Sequence, residues 1–335
     1  MAKRLLALMV LSQAVCCSLP AQQQACQRRI LPIAFRDSQN LPIQNISPAD
    51  LDAKVHGKPV KILSLLADMR PHRLVLILDA SGSMGAAERG APRWKLAVTL
   101  ARHFFAVNRQ ESPIALIIFN DQVTDAIDFT SGNSAVADKL QQIGLDSQYM
   151  KANVKGKTAL RDAILQGLRL LDHPTSADAV YVLSDGGDNT STHSVPDVNQ
   201  RLAATSVRLF AVFLEEGRLS RSRPPEEESG PGELAEIARK SGGEILSVAS
   251  KQGDQVALTA DPDGKFKTEE TLSRLYQTIV RDTLVEIELP LPIAKTVTWE
   301  LRLSDSARRQ WKGAQLTYPT NLLGCASEVY GSGRH

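Results

Sequence analysis

The sequence has almost no surplus of charge of one sign. Its 39 Lys and Arg residues and 37 Asp and Glu residues leave a formal net charge of +2 over 335 residues. Both excess charges come from Lys3 and Arg4, because residues 1–21 contain no acid. Nucleic-acid binding and polybasic membrane contacts both depend on concentrated positive charge. We therefore expect no nucleic-acid partner and no polybasic membrane surface.

Long hydrophobic runs are missing too. The apolar stretch at residues 5–15 follows two basic residues and is shorter than a typical transmembrane helix requires. With the small or polar residues after it, segment 1–21 is typical of a secretory signal peptide. A retained anchor or lipidation at Cys16 or Cys17 stays open, although the preceding residues fit a bacterial lipobox poorly. We predict cleavage near Ala21 and export to the periplasm, cell surface or extracellular space, with membrane contact only through a retained or lipidated N-terminus.

Cysteine is also scarce. Four cysteines occur in the sequence, and removal of residues 1–21 leaves Cys26 and Cys325, one near each end. An exported protein can keep a disulfide. We hypothesise that these two cysteines pair and join the termini; the alternative is two free thiols in the terminal segments.

Familiar catalytic motifs are absent. The sequence contains no Gly-x-Ser-x-Gly, no His-Glu-x-x-His and no glycine-rich phosphate loop. The Asp-x-Asp start of aspartyl-phosphate phosphatases is absent as well, because Ser81 stands two positions after Asp79. These absences favour a protein that is not an enzyme. A metal-dependent hydrolase stays open as the less favoured alternative, since acids at strand ends can hold a catalytic Mg²⁺.

What the sequence does contain is an apolar run at residues 74–78 that ends in Asp79. Such a run suits a strand buried on both faces of a parallel sheet, and ligand sites in open α/β sheets lie at the carboxyl ends of strands. Ser81 and Ser83 follow on the same turn. Carboxylate and hydroxyl oxygens suit Mg²⁺ or Mn²⁺ better than zinc. An ordinary polar strand-to-helix turn is the alternative.

Two later segments extend this pattern. Thr158 lies in Gly-Lys-Thr-Ala-Leu-Arg-Asp-Ala at residues 156–163, just before a helical stripe, where it could simply cap the helix. Asp185 ends an apolar run at residues 179–184 and precedes two glycines. The three segments resemble the metal-ion-dependent adhesion site of von Willebrand factor A domains. The resemblance covers about residues 71–285 and implies five metal ligands: Asp79, Ser81, Ser83, Thr158 and Asp185.

The same resemblance implies an α/β fold with a doubly wound, mostly parallel sheet flanked by helices at residues 71–285. Residues 22–70 and 286–335 show β-like patterns, and we expect these flanks to pack together as a small β-sandwich. Residues 47–59 loosely match a segment that precedes the metal-site strand in bacterial exported relatives of this family.

Hydrophobic periodicity predicts the remaining elements. The predicted strands cover residues 30–35, 60–66, 114–119, 123–129, 207–214, 244–248, 285–289, 297–303 and 315–318. The predicted helices cover residues 94–105, 134–143 (capped by Ser134), 160–171, 198–204, 233–240 and 271–284. Residues 215–232 and 250–267 are predicted to be polar loops.

The resemblance implies a non-enzymatic adhesion or binding protein. In the family, a Mg²⁺-type ion keeps an exchangeable position that an Asp or Glu carboxylate of a protein partner completes, and the last helix, here residues 271–284, can shift with metal coordination. A structural cell-envelope component, in which the metal only stabilises the fold, is the second interpretation. It predicts that replacing Ser83 leaves partner binding intact.

Overall fold

The computed structural model describes residues 27–38, 41–43, 45–68, 70, 72–85, 92–108, 112–215, 225–250, 256–258, 276, 279 and 283–325. The predicted signal peptide and Cys26 therefore lie outside the described residues. Within the part of the chain that the structure describes, no helix combines the length and apolar character needed to cross a membrane.

The strands, in chain order, are β1 (Arg28–Arg36), β2 (Leu51–Val55), β3 (Lys58–Ala67), β4 (Leu74–Asp79), β5 (Ile114–Phe119), β6 (Val123–Ile127), β7 (Ala179–Ser184), β8 (Arg208–Glu215), β9 (Ile245–Ser250), β10 (Val256–Leu258), β11 (Thr283–Glu288), β12 (Val297–Leu303), β13 (Gln315–Thr317) and β14 (Asn321–Leu322). The helices are α1 (Gly82–Gly85), α2 (Arg93–Asn108), α3 (Gly132–Leu145), α4 (Ser147–Asn153), α5 (Leu160–Leu170), α6 (Val195–Thr205), α7 (Pro225–Ser241) and α8 (Asp305–Gln310). Short 3₁₀ turns cover Pro48–Asp50 and Phe129–Ser131.

The central sheet has the order β10-β9-β8-β7-β4-β5-β6. Strands β9, β8, β7, β4 and β5 run parallel, while β6 and β10 are antiparallel edges. Alternate residues of β4 enter two different cores, which contain residues of α2 and α3 on one face and of α5, α6 and α7 on the other. Burial on both faces explains the unbroken apolar runs. The α/β prediction, with helices flanking a central sheet, is confirmed, and the sheet itself is mixed.

Several predicted boundaries need correction because polar side chains end or begin elements by capping. Strand β6 stops at Ile127, since Asp128 accepts hydrogen bonds from Thr130 N and Ser131 N. Helix α3 begins at Gly132, so Ser134 is not its cap. The unpredicted helix α4 is capped by Asp146, which accepts from Gln148 N.

The segment predicted as a loop at residues 215–232 is partly helical. Helix α7 begins at Pro225, which three glutamates follow in sequence. Proline at a first helical position and acids in a first turn both favour a helix start. In the predicted loop 250–267, β10 pairs with β9. Within 271–284, Tyr276 and Ile279 are helical and buried, whereas Leu284 belongs to β11.

The flanking strands form a second seven-stranded sheet, with the order β13-β1-β11-β3-β2-β12-β14. Strand β11 pairs with both β1 and β3, so a strand from the C-terminal part lies between two N-terminal strands. We expected the flanks to pack as a β-sandwich. They form instead one continuous antiparallel sheet around one core. Strand β2 was not predicted, and it alternates buried and half-buried residues.

The two sheets meet near the end of α7. Arg36 Nη1 of β1 donates to Glu244 Oε2 at 2.7 Å, just before β9. Thr320 N donates to Lys240 O at 3.1 Å. Gly242, at φ +82°, lies so close to Pro319 that an added Cβ would be 2.5 Å from the proline nitrogen. These contacts connect the flanking sheet to the central one.

Candidate metal centre

The predicted site lies where β4 and β7, adjacent parallel strands, reach their carboxyl ends. Asp79 is the last residue of β4, and Asp185 directly follows β7. Both side chains are buried, Asp79 with no exposed surface. Parallel register therefore brings two acids from distant parts of the sequence to one edge of the sheet.

The first loop presents a carboxylate and two hydroxyl groups together. Asp79 Oδ1 accepts a hydrogen bond from Ser81 N at 2.8 Å. Ser81 Oγ lies 3.1 Å from Ser83 Oγ. Ser81 is fully buried, so these oxygens are held by the scaffold rather than by solvent. The turn thus offers several hard oxygen donors over a short distance.

A residue that sequence reasoning did not single out orders this carboxylate. Ser184, at the end of β7, donates from Oγ to Asp79 Oδ2 at 2.6 Å and accepts from Gly186 N at 2.9 Å. It connects the first loop to the third. Its only sequence signal is a hydroxyl at the end of an otherwise apolar run.

The loop carrying Thr158 contacts both other loops. Gly82 N donates to Gly156 O at 3.0 Å, and a Cβ on Gly82 would be 3.1 Å from that oxygen. On the other side, Thr158 N donates to Asn189 Oδ1 at 2.9 Å. The N-cap position of α5 belongs to Ala159, so Thr158 is not its cap. Its backbone is instead clamped between the first and third loops.

Helix α7 approaches the third loop at a pair of glycines. A Cβ on Gly230 would be 2.0 Å from Gly186 O, and Gly186 itself has φ +82°. Only residues without a side chain permit this backbone contact. The part of the chain expected to be a polar loop therefore covers the loop that carries Asp185.

Asp185 forms a buried ion pair that the sequence did not reveal. Arg93 Nη1, from the first residue of α2, donates to Asp185 Oδ2. Gly187 N makes a long 3.4 Å contact with the other carboxylate oxygen. A cation at a helix N-terminus is unfavourable in the field of the helix dipole. That misfit is the sequence signal by which Arg93 could have been found.

The carboxyl group of Asp79 is electrostatically perturbed. Burial and then the charge of Asp185 raise the pKa of Asp79 to about 7, against hydrogen bonds from Ser184 and Ser81 that lower it. Two buried acids thus face each other with one guanidinium beside them. The donor set of carboxylates and hydroxyls fits Mg²⁺ or Mn²⁺. Among the described residues no group of three or more His, Cys, Asp or Glu side chains is placed to hold a metal, so an ion at this edge would take hydroxyl oxygens as well as carboxylates.

Two other acids near this edge, Asp188 and Asp162, are hydrogen-bonded to protein groups. Asp188 accepts hydrogen bonds from Arg161 N and Ser191 Oγ. Asp162 Oδ1 lies 2.7 Å from His193 Nδ1. Burial raises the pKa of Asp162, but hydrogen bonds from the Thr192 backbone and from His193 outweigh it and lower the pKa overall. These contacts order the rim around the site.

Comparison with known protein families finds a match to the part of the chain that contains the candidate site. Residues 74–187, about a third of the sequence, match the family model described as the von Willebrand factor type A domain. The matched region includes all three loops of the site. No curated protein sequence gave a significant match.

Solved structures show only distant likeness. The conserved hypothetical protein BatB from Bacteroides thetaiotaomicron is 17% identical, with 63% of this chain and 98% of that chain covered and a TM-score of 0.41. A von Willebrand factor type A structure from Catenulispora acidiphila is 12% identical, with 89% and 74% covered and a TM-score of 0.42. Proximal thread matrix protein 1 from the mussel byssus is 16% identical, with 65% and 49% covered and a TM-score of 0.43.

Proposed function

We propose that this protein is an exported, non-enzymatic binding protein that captures a protein partner through a Mg²⁺-type ion. The observation that carries the proposal is the convergence of Asp79, Asp185 and the Ser81 and Ser83 hydroxyls at the ends of two parallel strands. The match of residues 74–187 to von Willebrand factor type A domains supports it.

The proposed role of each ligand follows from whether its side chain is a carboxylate or a neutral hydroxyl. Asp79 would hold the ion from the first loop, with Ser81 and Ser83 as neutral donors, and Thr158 and Asp185 would complete the protein's share. A bound Mg²⁺ would supply a positive charge and an exchangeable position that an Asp or Glu of the partner can fill. The surface around the three loops would then select the partner.

Two alternatives lead to different results. In a structural envelope component the ion would raise stability without any partner, and replacing Ser83 would leave partner binding intact. A metal-dependent hydrolase would release phosphate or another product in a metal-dependent assay. We favour the binding protein because no recognised catalytic motif accompanies the acids.

The deciding experiment is calorimetric titration of Mg²⁺ and Mn²⁺ into chelator-treated protein, for wild type, Asp79→Asn and Asp178→Asn. Asp178 is a control for the loss of a buried carboxylate, because it is also buried but lies just before β7, at the end of the sheet away from the candidate ligands. We expect one ion to bind wild type and Asp178→Asn, and none to bind Asp79→Asn. Absence of binding to folded wild type would contradict the proposal.

Partner capture is tested separately with Asp-containing peptides and matched Asn-containing peptides at fixed Mg²⁺. Peptide binding that needs both the ion and the carboxylate, and that Ser83→Ala removes without unfolding the protein, would support the binding function. Metal binding that is indifferent to the carboxylate would favour the structural interpretation.

A further inference from the structure

The Arg93–Asp185 ion pair is almost completely removed from solvent. The side chain of Arg93 is 10% exposed and that of Asp185 is 2% exposed. We infer that Arg93 is the built-in counter-cation of the metal centre: it neutralises Asp185 when no ion is bound, and it limits ion affinity by opposing a dication beside it. This inference rests on the proposed function and adds to it the residue that sets affinity.

The charges around Asp185 explain the role. Asp79 and Asp185 are both buried at the ends of adjacent parallel strands, so two acidic groups share one edge of the sheet. Arg93 supplies one positive charge against these two acids. Replacing it with a neutral residue would leave the pair without that compensation, so the metal-free protein would lose stability and the attraction for a dication would rise.

The position of Arg93 indicates that Asp185 stabilises its positive charge there. It is the first residue of α2, where the helix dipole disfavours a cation. Its guanidinium nevertheless lies among buried groups and donates to Asp185 Oδ2. Arg93 therefore binds the same carboxylate that the metal centre would use.

A second ion pair, at the opposite end of β4 and β7, serves as a structural comparison. Arg73 donates from Nε and Nη2 to the two oxygens of Asp178, at 3.0 and 2.7 Å. Asp178 also accepts from Thr175 N at 2.8 Å, so its carboxylate is well supplied with donors. This pair precedes β4 and β7, whereas the Arg93 pair follows them. The two pairs therefore stand at opposite ends of adjacent strands.

The test compares Arg93→Gln with Arg73→Gln in the full chain. Mg²⁺ affinity is measured by calorimetry after chelator treatment, and thermal unfolding is measured with EDTA and with Mg²⁺. We expect Arg93→Gln to unfold at a lower temperature in EDTA yet bind Mg²⁺ about 10- to 100-fold more tightly, the range over which outer-shell partners alter metal affinity. Arg73→Gln should also unfold at a lower temperature but keep the wild-type affinity.

Each remaining outcome decides the question. Equal or weaker Mg²⁺ binding by Arg93→Gln would overturn the counter-cation role while leaving the metal centre intact. Binding by the variant but not by folded wild type would overturn the proposed function, and this inference with it, because the native chain would hold no ion. Absence of binding in both folded proteins would overturn the proposed function together with this inference. If Arg93→Gln does not fold, Arg93→Lys keeps the charge and should bind Mg²⁺ with the wild-type affinity. Tighter binding by Arg93→Lys would overturn the inference.

Discussion

Ser184 Oγ donates a 2.6 Å hydrogen bond to Asp79 Oδ2, and this bond joins the ends of two adjacent parallel strands. The same hydroxyl accepts from Gly186 N, in the loop that carries Asp185. A single side chain therefore orients one acid and holds the loop of the other. Charge-assisted hydrogen bonds of this kind stabilise the ionised carboxylate.

Replacing Ser184 with alanine should weaken both the fold and the metal centre. The change leaves a buried carboxylate oxygen without its hydroxyl partner, at an expected cost of about 1–3 kcal/mol in the free energy of unfolding. Loss of an orienting group beside a ligand should also reduce Mg²⁺ affinity about 10- to 100-fold. Denaturant unfolding and calorimetric titration measure the two effects.

Ser241→Ala is the matched control for that experiment. Ser241 is also buried and bridges two groups, accepting from Leu209 N at 2.9 Å and donating to Ala238 O at 2.7 Å. Its loss should lower stability without changing metal affinity. An equal loss of affinity in both variants would show that the effect is only general destabilisation.

Stability of the metal-free protein should depend on pH through Asp79. Burial and the charge of Asp185 raise the pKa of Asp79 to about 7 in the folded state, whereas an unfolded Asp titrates near pH 4, at about 3.9. Between these values the folded state holds a proton that the unfolded state has lost. The contribution of Asp79 to the free energy of unfolding therefore falls as pH rises from about 4 to about 7.

The measurement is the difference in unfolding free energy between wild type and Asp79→Asn, in EDTA, at several pH values across that window. The subtraction removes groups that titrate in both proteins, such as Asp68, whose pKa is lowered in the fold by Arg70 against the effect of burial. We expect the difference to decline with rising pH in EDTA and to stop declining in excess Mg²⁺. A difference that is independent of pH in EDTA would contradict the burial of two interacting acids.

Gly242 should tolerate no side chain, because it lies at the contact between the two sheets. At φ +82° an L-residue is strained by about 1–2 kcal/mol, and a Cβ would be 2.5 Å from Pro319 N. Gly242→Ala should therefore lower the free energy of unfolding by more than that strain alone. Gly232→Ala is the control: it lies within α7 with nothing within 4 Å of its Cβ position, and should be neutral or stabilising by about 0.5–1 kcal/mol.

The central strands could be predicted because burial on both faces leaves a local signature, a continuous apolar run that ends at an acid. Strand β4 and strand β7 both show it. The placement of β11 between β1 and β3 could not be predicted, since strand pairing between distant segments leaves no local pattern. The first half of helix α7 was missed for a different reason: it is rich in Glu, Gly and Pro, and contact with Gly186 helps to define its position.

The candidate ligands were predicted from motifs, whereas the groups that surround them were not. Asp79, Ser81 and Ser83 share one turn, so their proximity follows from the sequence. Ser184 and Arg93 act on carboxylates from other segments, and their roles become visible only when the strands are in register. The metal-ligand roles themselves stay predictions until an ion is titrated.

The pairing of Cys26 with Cys325 also stays a prediction, and the fold gives it a sharper test. Cys325 Sγ accepts a hydrogen bond from Arg29 Nη2 at 3.6 Å, which places the C-terminal cysteine beside β1. Cys26 lies outside the described residues and precedes Arg29 by three positions in the sequence. The start of the described chain and Cys325 therefore lie together at β1.

Non-reducing peptide mapping of exported protein should recover a cross-linked Cys26–Cys325 peptide. In the chain-entropy model, closing a loop longer than 100 residues stabilises the fold by about 5 kcal/mol, so Cys325→Ser should unfold at a clearly lower temperature than wild type. Cys16→Ser is the control, because it lies in the segment expected to be removed. Alkylation of both thiols in unreduced protein would contradict the disulfide. The pairing of β11 with β1 and β3 would then connect the N-terminal and C-terminal parts of the chain without a covalent bond.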